Sequence, residues 1–358
     1  SEWSVPLARS LAFSPRGATL AVAGDDRAVT LWDTTNPAAQ RQVGQPLRGH
    51  ADVVFTLAFS PDGGTLATGS ADWTTNLWDI ADRLLPRATT RLAGHADAVR
   101  GVAFDRDGRT LATAGDDGAV ILWDIANPGQ ARQLGRPLTG HTGPVVSVAF
   151  HPDRRTLATA GVDGVLILWD VGDRAVPRVV ARLTQPGVPL AAVEFGQDGH
   201  ILAAGADDGL VRLWDVTDPA EARLAGQLRA DHSGQHSELD GLALSPDGHT
   251  VAVTDFYTYD GPVEADTIAF GPDGRVIASG GNDHMVMLWD TTDPSQPRQL
   301  SQPLVEHRDT VSSLAFSPDG HTLASRSNDG VVLLWNAANS GGPQRLGPPL
   351  TDADHPPN

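Results

Sequence analysis

Histidine, serine and aspartate recur together along this chain at a fixed spacing. His50 is followed by Ser70 and Asp72, and His307 by Ser327 and Asp329. Two further groups keep the histidine and the aspartate and have glycine at the serine place: His95 with Asp117, and His141 with Asp163. Such a trio could do nucleophilic chemistry, with serine attacking, histidine as base and aspartate orienting the imidazole. An active site is normally single, whereas this set repeats. It therefore reads as structural, and no residue is given a catalytic role. A metal reading is no stronger. His232 and His236 stand close together in ADHSGQHSELD, but without a helix that spacing fixes no ligand geometry, and a polar surface loop is the simpler reading. No metal and no cofactor is expected.

The elements that must hold these residues are set by a second period. Trp-Asp recurs at Trp32, Trp78, Trp123, Trp169, Trp214 and Trp289, and a variant, Trp335-Asn336, ends the series. The spacings are 46, 45, 46, 45, 75 and 46 residues. Inside the long interval LALSPDGHTVAVTDF (242–256) repeats the front half of the other units, so there are seven full units and one shortened one. Approximate unit bounds are 1–48, 49–93, 94–139, 140–184, 185–230, 231–262 (shortened), 263–305 and 306–358, together one domain. In the unit at 94–138, VRGVAF, RTLATAG, AVILWDI and ARQLGRPL read as four strands joined by DRDG, DDG and a Pro/Gly loop. VILW is apolar on both faces, which suits a sheet covered on both sides. The expected fold is all-β.

The period, the Gly-His, the Ser-Pro-Asp-Gly turn and the Trp-Asp ending resemble the WD40 family over nearly the whole chain. The resemblance implies a β-propeller of four-stranded antiparallel blades, similar to the tandem repeats of large bacterial (actinobacterial-type) signalling proteins. It also implies a hydrogen-bonded tetrad in each blade. Two sets are complete on this reading: His50, Ser70, Asp72, Trp78 and His307, Ser327, Asp329, Trp335. Two others lack the hydroxyl: His95, Asp117, Trp123 and His141, Asp163, Trp169. Elsewhere only Asp and Trp remain, as in Asp26–Trp32, Asp208–Trp214 and Asp283–Trp289. Eight blades are favoured over seven, with the shortened unit as a reduced blade. An excursion from a seven-bladed ring and a sequence gap near 256–262 are the other readings. Each blade is built from contiguous sequence, so the ring is expected to close by side-chain packing between its first and last blades.

Composition narrows the function. The net charge is −18, and all 26 basic residues are arginine, with no lysine. A strongly acidic chain repels phosphate backbones, so nucleic acid is not an expected partner. The chain has no cysteine, which removes thiol chemistry and disulfides and fits a cytoplasmic location. No apolar run approaches the roughly 18 residues of a membrane helix, and the stretch SEWSVPLARS lacks the basic and apolar regions of a signal peptide and is not read as one. The chain opens on Ser1 and reads as a piece of something longer.

If the repeated residues are structural, function must come from what differs between units. In the family, the loop before the first strand and the turn between the second and third open on the top face, where partners commonly dock. The residue two before the first-strand hydrophobic is Arg9, Phe55, Arg100, Val146, Ala191, Asp240, Asp266 or Ser312. The residue after the turn aspartate is Arg27, Trp73, Gly118, Gly164, Gly209, His284 or Gly330. Trp73 gains nothing for a turn that prefers glycine, so it should expose its indole. The candidate partner-binding set is Phe55 and Trp73, flanked by Arg9 and Arg100, with Asp25, Asp116, Asp207, Asp240, Asp266 and His284 on the same face. The expected function is a non-catalytic protein-interaction scaffold or sensor, binding a protein or peptide, with a basic one suiting the carboxylates, or an effector domain in cis. The alternatives are a propeller hydrolase or lyase, and glycan or small-ligand binding at the central channel.

Overall fold

The computed structural model describes residues 8–24, 26–36, 41–153, 155–184, 188–196, 199–206, 210–229, 237–244, 251–257, 267–273, 275–281, 284–290, 298–337 and 343–350. Among them the chain is β-strand and turn, with two single turns of 3-10 helix at Pro128–Gln130 and Pro219–Glu221. Seven antiparallel sheets of four sequential strands follow one another. Blade three shows the plan: Val99–Phe104, Thr110–Gly115, Ala119–Asp124 and Arg132–Thr139, each paired with the next. In blade one the outer strand is broken into Arg41–Gln42 and Leu47–Arg48, both paired with Ala28–Asp33. The first strands of blades one to five lie side by side in turn, as do those of blades six, seven and one.

The eight-bladed ring favoured from the unit count is corrected by this topology, which has seven four-stranded blades. The shortened unit forms a two-stranded hairpin, Ser237–Leu244 with Val251–Tyr257. It lies between blade five (190–229) and blade six (267–304). The reason is chain length. Nine residues separate Tyr257 from Thr267, whereas 29 separate Gly115 from Val145 and hold two strands and their loop.

The core is a set of layers between blades. Leu31 of blade one packs with Trp78 of blade two, and Leu122 of blade three with Trp169 of blade four. The leucine before each Trp thus faces the following blade, and the Trp, on the opposite face of the pleat, faces the preceding one. Both faces are covered, which is why VILW can be apolar throughout: Val120, Ile121 and Leu122 are fully buried. Burying one such side chain stabilises the fold by roughly 1.5–3 kcal/mol.

Two arginines fasten neighbouring blades on the lower side. Arg83, in the outer loop of blade two, donates to the Ala18 carbonyl at 2.6 Å and lies 3.4 Å from the Asp33 carboxylate of blade one. Arg174 of blade four donates to Thr110 Oγ1 and to Asp105 Oδ2 of blade three, both at 2.8 Å.

The ring closes by packing. Leu11, Leu20, Val22 and Trp32 of blade one meet Ala324, Val332, Leu334 and Leu350 of blade seven (311–350). No strand crosses from one to the other among the described residues. Arg326 in the second strand of blade seven is buried. It takes the register place that Ala23, Gly69, Ala114, Ala160 and Gly205 take elsewhere.

Candidate functional site

Four blades carry the same hydrogen-bond chain. In blade two His50 Nδ1 lies 3.1 Å from Asp72 Oδ2, His50 Nε2 lies 2.8 Å from Thr68 Oγ1, and Trp78 Nε1 donates to Thr68 Oγ1 at 3.0 Å. Blade three repeats it with His95, Asp117, Thr113 and Trp123. Blade four uses His141, Asp163, Thr159 and Trp169, and blade seven uses His307, Asp329, Ser325 and Trp335. One proton arrangement satisfies every group. A neutral imidazole donates from Nδ1 to the carboxylate and accepts the hydroxyl proton at Nε2, and the hydroxyl oxygen accepts the indole N–H. Each carboxylate also ties loop to turn: Asp72 accepts the Ala51 N–H at 2.8 Å and the Thr74 N–H at 3.0 Å.

The electrostatics agree with that assignment. Burial holds the His50 imidazole below its ordinary value, although the Asp72 carboxylate pulls the other way. His141 is lowered for the same reason, against Asp163. Burial pushes the Asp72 carboxyl up, but hydrogen bonds from Thr74, the Ala51 N–H and His50 outweigh it and leave the carboxyl below its ordinary value. Asp117, Asp163 and Asp329 balance the same way. These imidazoles are buried and fully engaged, so they are poor candidates for acid–base work on a ligand.

The tetrads read from sequence need one correction. The hydroxyl is not that of Ser70 or Ser327 but of Thr68 and Ser325, two residues earlier in the strand. Ser70 Oγ instead donates to the Asp52 carbonyl at 3.0 Å and accepts the Asp72 N–H at 3.1 Å; Ser327 does the same with Asp309 and Asp329. The blades with Gly115 and Gly161 therefore have complete chains through Thr113 and Thr159. In those blades a Cβ on the glycine would lie 2.6 Å from His95 Nδ1 or 2.5 Å from His141 Nδ1. Without it, each histidine contacts both carboxylate oxygens, at 3.0 and 3.0 Å and at 3.1 and 3.3 Å. The missed signal was in the sequence: a hydroxyl stands ten residues before Trp78, Trp123, Trp169, Trp289 and Trp335.

The variable positions gather where the first strand begins. In six blades the first strand carries a one-residue register slip at that end. The slipped residues are Arg9, Phe55, Arg100, Val146, Ala191 and Ser312, and the hairpin slips at Asp240. They are the column singled out from sequence. A bulged residue leaves the ladder and is re-aimed, and bulges favour barrel rims and binding sites.

Between blades two and three this rim is organised. The Arg100 guanidinium carbon lies 4.1 Å from the centre of the Phe55 ring. Arg100 Nε reaches the two Asp116 oxygens at 3.1 and 2.9 Å, and its Nη2 is 2.8 Å from Oδ2. Asp116 is thereby neutralised in place, and the stack fixes the Phe55 ring. Arg100 remains substantially exposed.

Trp73 stands on the turn above the same blade, 52% exposed. Its φ is 71°, in the left-handed region, as is that of Arg27 (65°) and His284 (63°); these are the non-glycine residues with positive φ among those described. Their counterparts Gly118, Gly164 and Gly330 have φ of 76°, 74° and 82°. The turn imposes this conformation, and a tryptophan takes it at a cost of roughly 1–2 kcal/mol. Trp73 makes no ring contact with the Phe55–Arg100 pair among the described residues. His284 is exposed. Asp25, Asp207 and Asp266 lie outside the described residues, and Arg9 and Asp240 are described in backbone only. No group of three or more His, Asp or Glu among the described residues could hold a metal ion, and none of their helices is long and apolar enough to cross a membrane.

A family model described as "WD domain, G-beta repeat" matches residues 4–33, 41–79, 86–124, 132–170, 180–215, 256–290 and 298–336. The matches are seven, one for each four-stranded blade, and they skip most of the hairpin. No curated protein matches the chain.

Proposed function

The chain belongs to the WD40-repeat family, and on that premise we propose that it is a non-catalytic protein-interaction scaffold or sensor module that binds a protein or peptide on the top rim of blades two and three. The observation that carries this reading is Trp73. A solvent-exposed indole sits on a left-handed turn residue where blades three, four and seven use glycine, so its presence is not explained by the turn. On the same blade, the half-buried Phe55 ring is held by a braced arginine rather than left to rotate. Tryptophan and arginine are among the residue types most enriched where interface energy concentrates. The partner in this reading is a protein segment with an apolar anchor for Trp73 and a carboxylate or backbone carbonyl for the exposed side of Arg100. Asp116 is occupied by Arg100 and offers no free carboxylate to a basic partner. The setting is a cytoplasmic bacterial signalling protein in which the propeller receives a separate partner or an effector domain in cis.

Replacing Phe55 and Trp73 together with alanine should abolish partner retention in pull-downs from the native host, with the unfolding midpoint unchanged or raised. Equal retention by the double variant and the parent would overturn the assignment.

A further inference from the structure

The hairpin leaves an uneven wall in the ring. Every four-stranded blade covers its inner pair of strands with a third and a fourth. The hairpin does not, and among the described residues its second strand, Val251–Tyr257, pairs only with Ser237–Leu244. One edge of that strand therefore lacks a described partner. On one side stands blade five, whose Leu213 faces this gap by the rule that the leucine before each Trp faces the following blade. Its counterparts Leu31, Leu77, Leu122, Leu168, Leu288 and Leu334 are at most 1% exposed, whereas Leu213 is only partly buried. Outward along blade five, a Cβ added at Gly226, the partner of Leu213 in the ladder, would meet nothing within 4 Å. On the other side, Trp289 of blade six faces back toward the hairpin and is only partly buried, as is Trp214 of blade five, against 1–7% exposure for Trp32, Trp78, Trp123, Trp169 and Trp335.

We propose that this edge is a docking site for a β-strand or β-hairpin of a partner protein, which pairs antiparallel with Val251–Tyr257 and lies between Leu213 and Trp289. The site is separate from the top rim and does not depend on it. The nine residues from Tyr257 to Thr267 must already join the hairpin to blade six, so they are too few to supply two strands of six to eight residues. The chemistry of the occupant is written in the other blades. It is a strand apolar on both faces, as in Ala119–Asp124, because it is covered from both sides. Backbone pairing with an open edge would give affinity, and the two apolar walls would give selectivity.

A synthetic peptide with the sequence of residues 119–139, the third and fourth strands of blade three, serves as probe on the full chain. It should slow amide exchange across 251–257 at least about tenfold, while a scrambled peptide should not. Leu213→Arg should weaken peptide binding by about tenfold or more, the equivalent of roughly 1.4 kcal/mol, with the exchange of blades one to four unaltered. Protection, without peptide, of those amides in 251–257 that point away from Ser237–Leu244 would overturn the proposal, since the chain would then fill its own edge. Unchanged exchange at saturating peptide would also overturn it. Sedimentation of the chain alone gives a third arm: a dimer that Leu213→Arg dissolves would mean that a second copy is the occupant, against a separate partner.

Discussion

Blades two and three are near copies below the rim and differ at it. Below, His50, Thr68, Asp72 and Trp78 make the same bonds as His95, Thr113, Asp117 and Trp123, within a few tenths of an ångström. At the rim, Phe55 answers to Arg100, Ala71 to Asp116 and Trp73 to Gly118. The difference follows from solvent. A buried indole, imidazole and carboxylate must each find a partner or cost several kcal/mol, so few combinations of side chains work and one recurs in four blades. A rim residue can turn to water instead, so its type is free to serve something outside the blade. Repetition therefore marks what the fold needs, and departure from it marks where the molecule can act.

The strongest way to break this comparison is to remove the bridging hydroxyl in both blades. Thr68→Val and Thr113→Val keep the shape but leave the indole N–H and the imidazole nitrogen buried without partners. Each unmet group costs about 1–3 kcal/mol, so each variant should lose about 3 kcal/mol, equally in the two blades, in calorimetric or denaturant unfolding. Ser70→Gly should cost under about 1 kcal/mol, because it gives blade two the glycine that blade three already has. If Ser70→Gly were the costlier change, the chain of bonds would run through Ser70 as first expected.

A smaller effect, confined to the buried network, should appear with pH. His50 and His141 are held neutral, with folded values below the unfolded value of about 6.5. The unfolded chain then binds protons that the folded chain does not. Stability from these residues is complete above about pH 7 and falls as pH drops from about 6.5 through the folded values, by at most about 1.4 kcal/mol per pH unit for each histidine. The lowered Asp72, Asp117, Asp163 and Asp329 act further down, where stability is lost below about pH 4. Unfolding midpoints measured from pH 8 to pH 5 should show the first slope, and His141→Gln should flatten part of it while lowering the plateau. Partner binding at the rim should keep its affinity over the same range wherever the ring is folded.

The blade architecture and most tetrad members were legible in the sequence because the tryptophan period is long, regular and specific. The hydroxyl was missed because Ser70 and Thr68 lie on the same face of one strand. Only the cross-strand register, Leu66 opposite Trp78 and Thr68 opposite Asn76, shows which one lies under the indole. The blade count differs from the unit count because the front half of a unit carries the repeat pattern without the length of a blade. The two missing strands are a matter of length, which the nine residues after Tyr257 already displayed. The rim column was found by alignment of units, but its bulged backbone and the Phe55–Arg100–Asp116 assembly join three separate segments, and no single-unit pattern contains them.

The finest test turns the rim of blade two into that of blade three. Trp73→Gly relieves the left-handed strain of roughly 1–2 kcal/mol and gives back about 0.5–1 kcal/mol through the freer unfolded chain. The net change should be a gain of about 0.5–1 kcal/mol in unfolding experiments. The reverse exchange, Gly118→Trp, should lose more than that, since a Cβ there would sit 3.2 Å from the Gly143 carbonyl oxygen. A residue that weakens its own fold persists only if it does something else, so the stabilised Trp73→Gly protein should bind its partner more weakly than the parent. A variant that is both more stable and fully competent would mean that the indole is incidental, and would shift the binding surface to Phe55 and Arg100 alone.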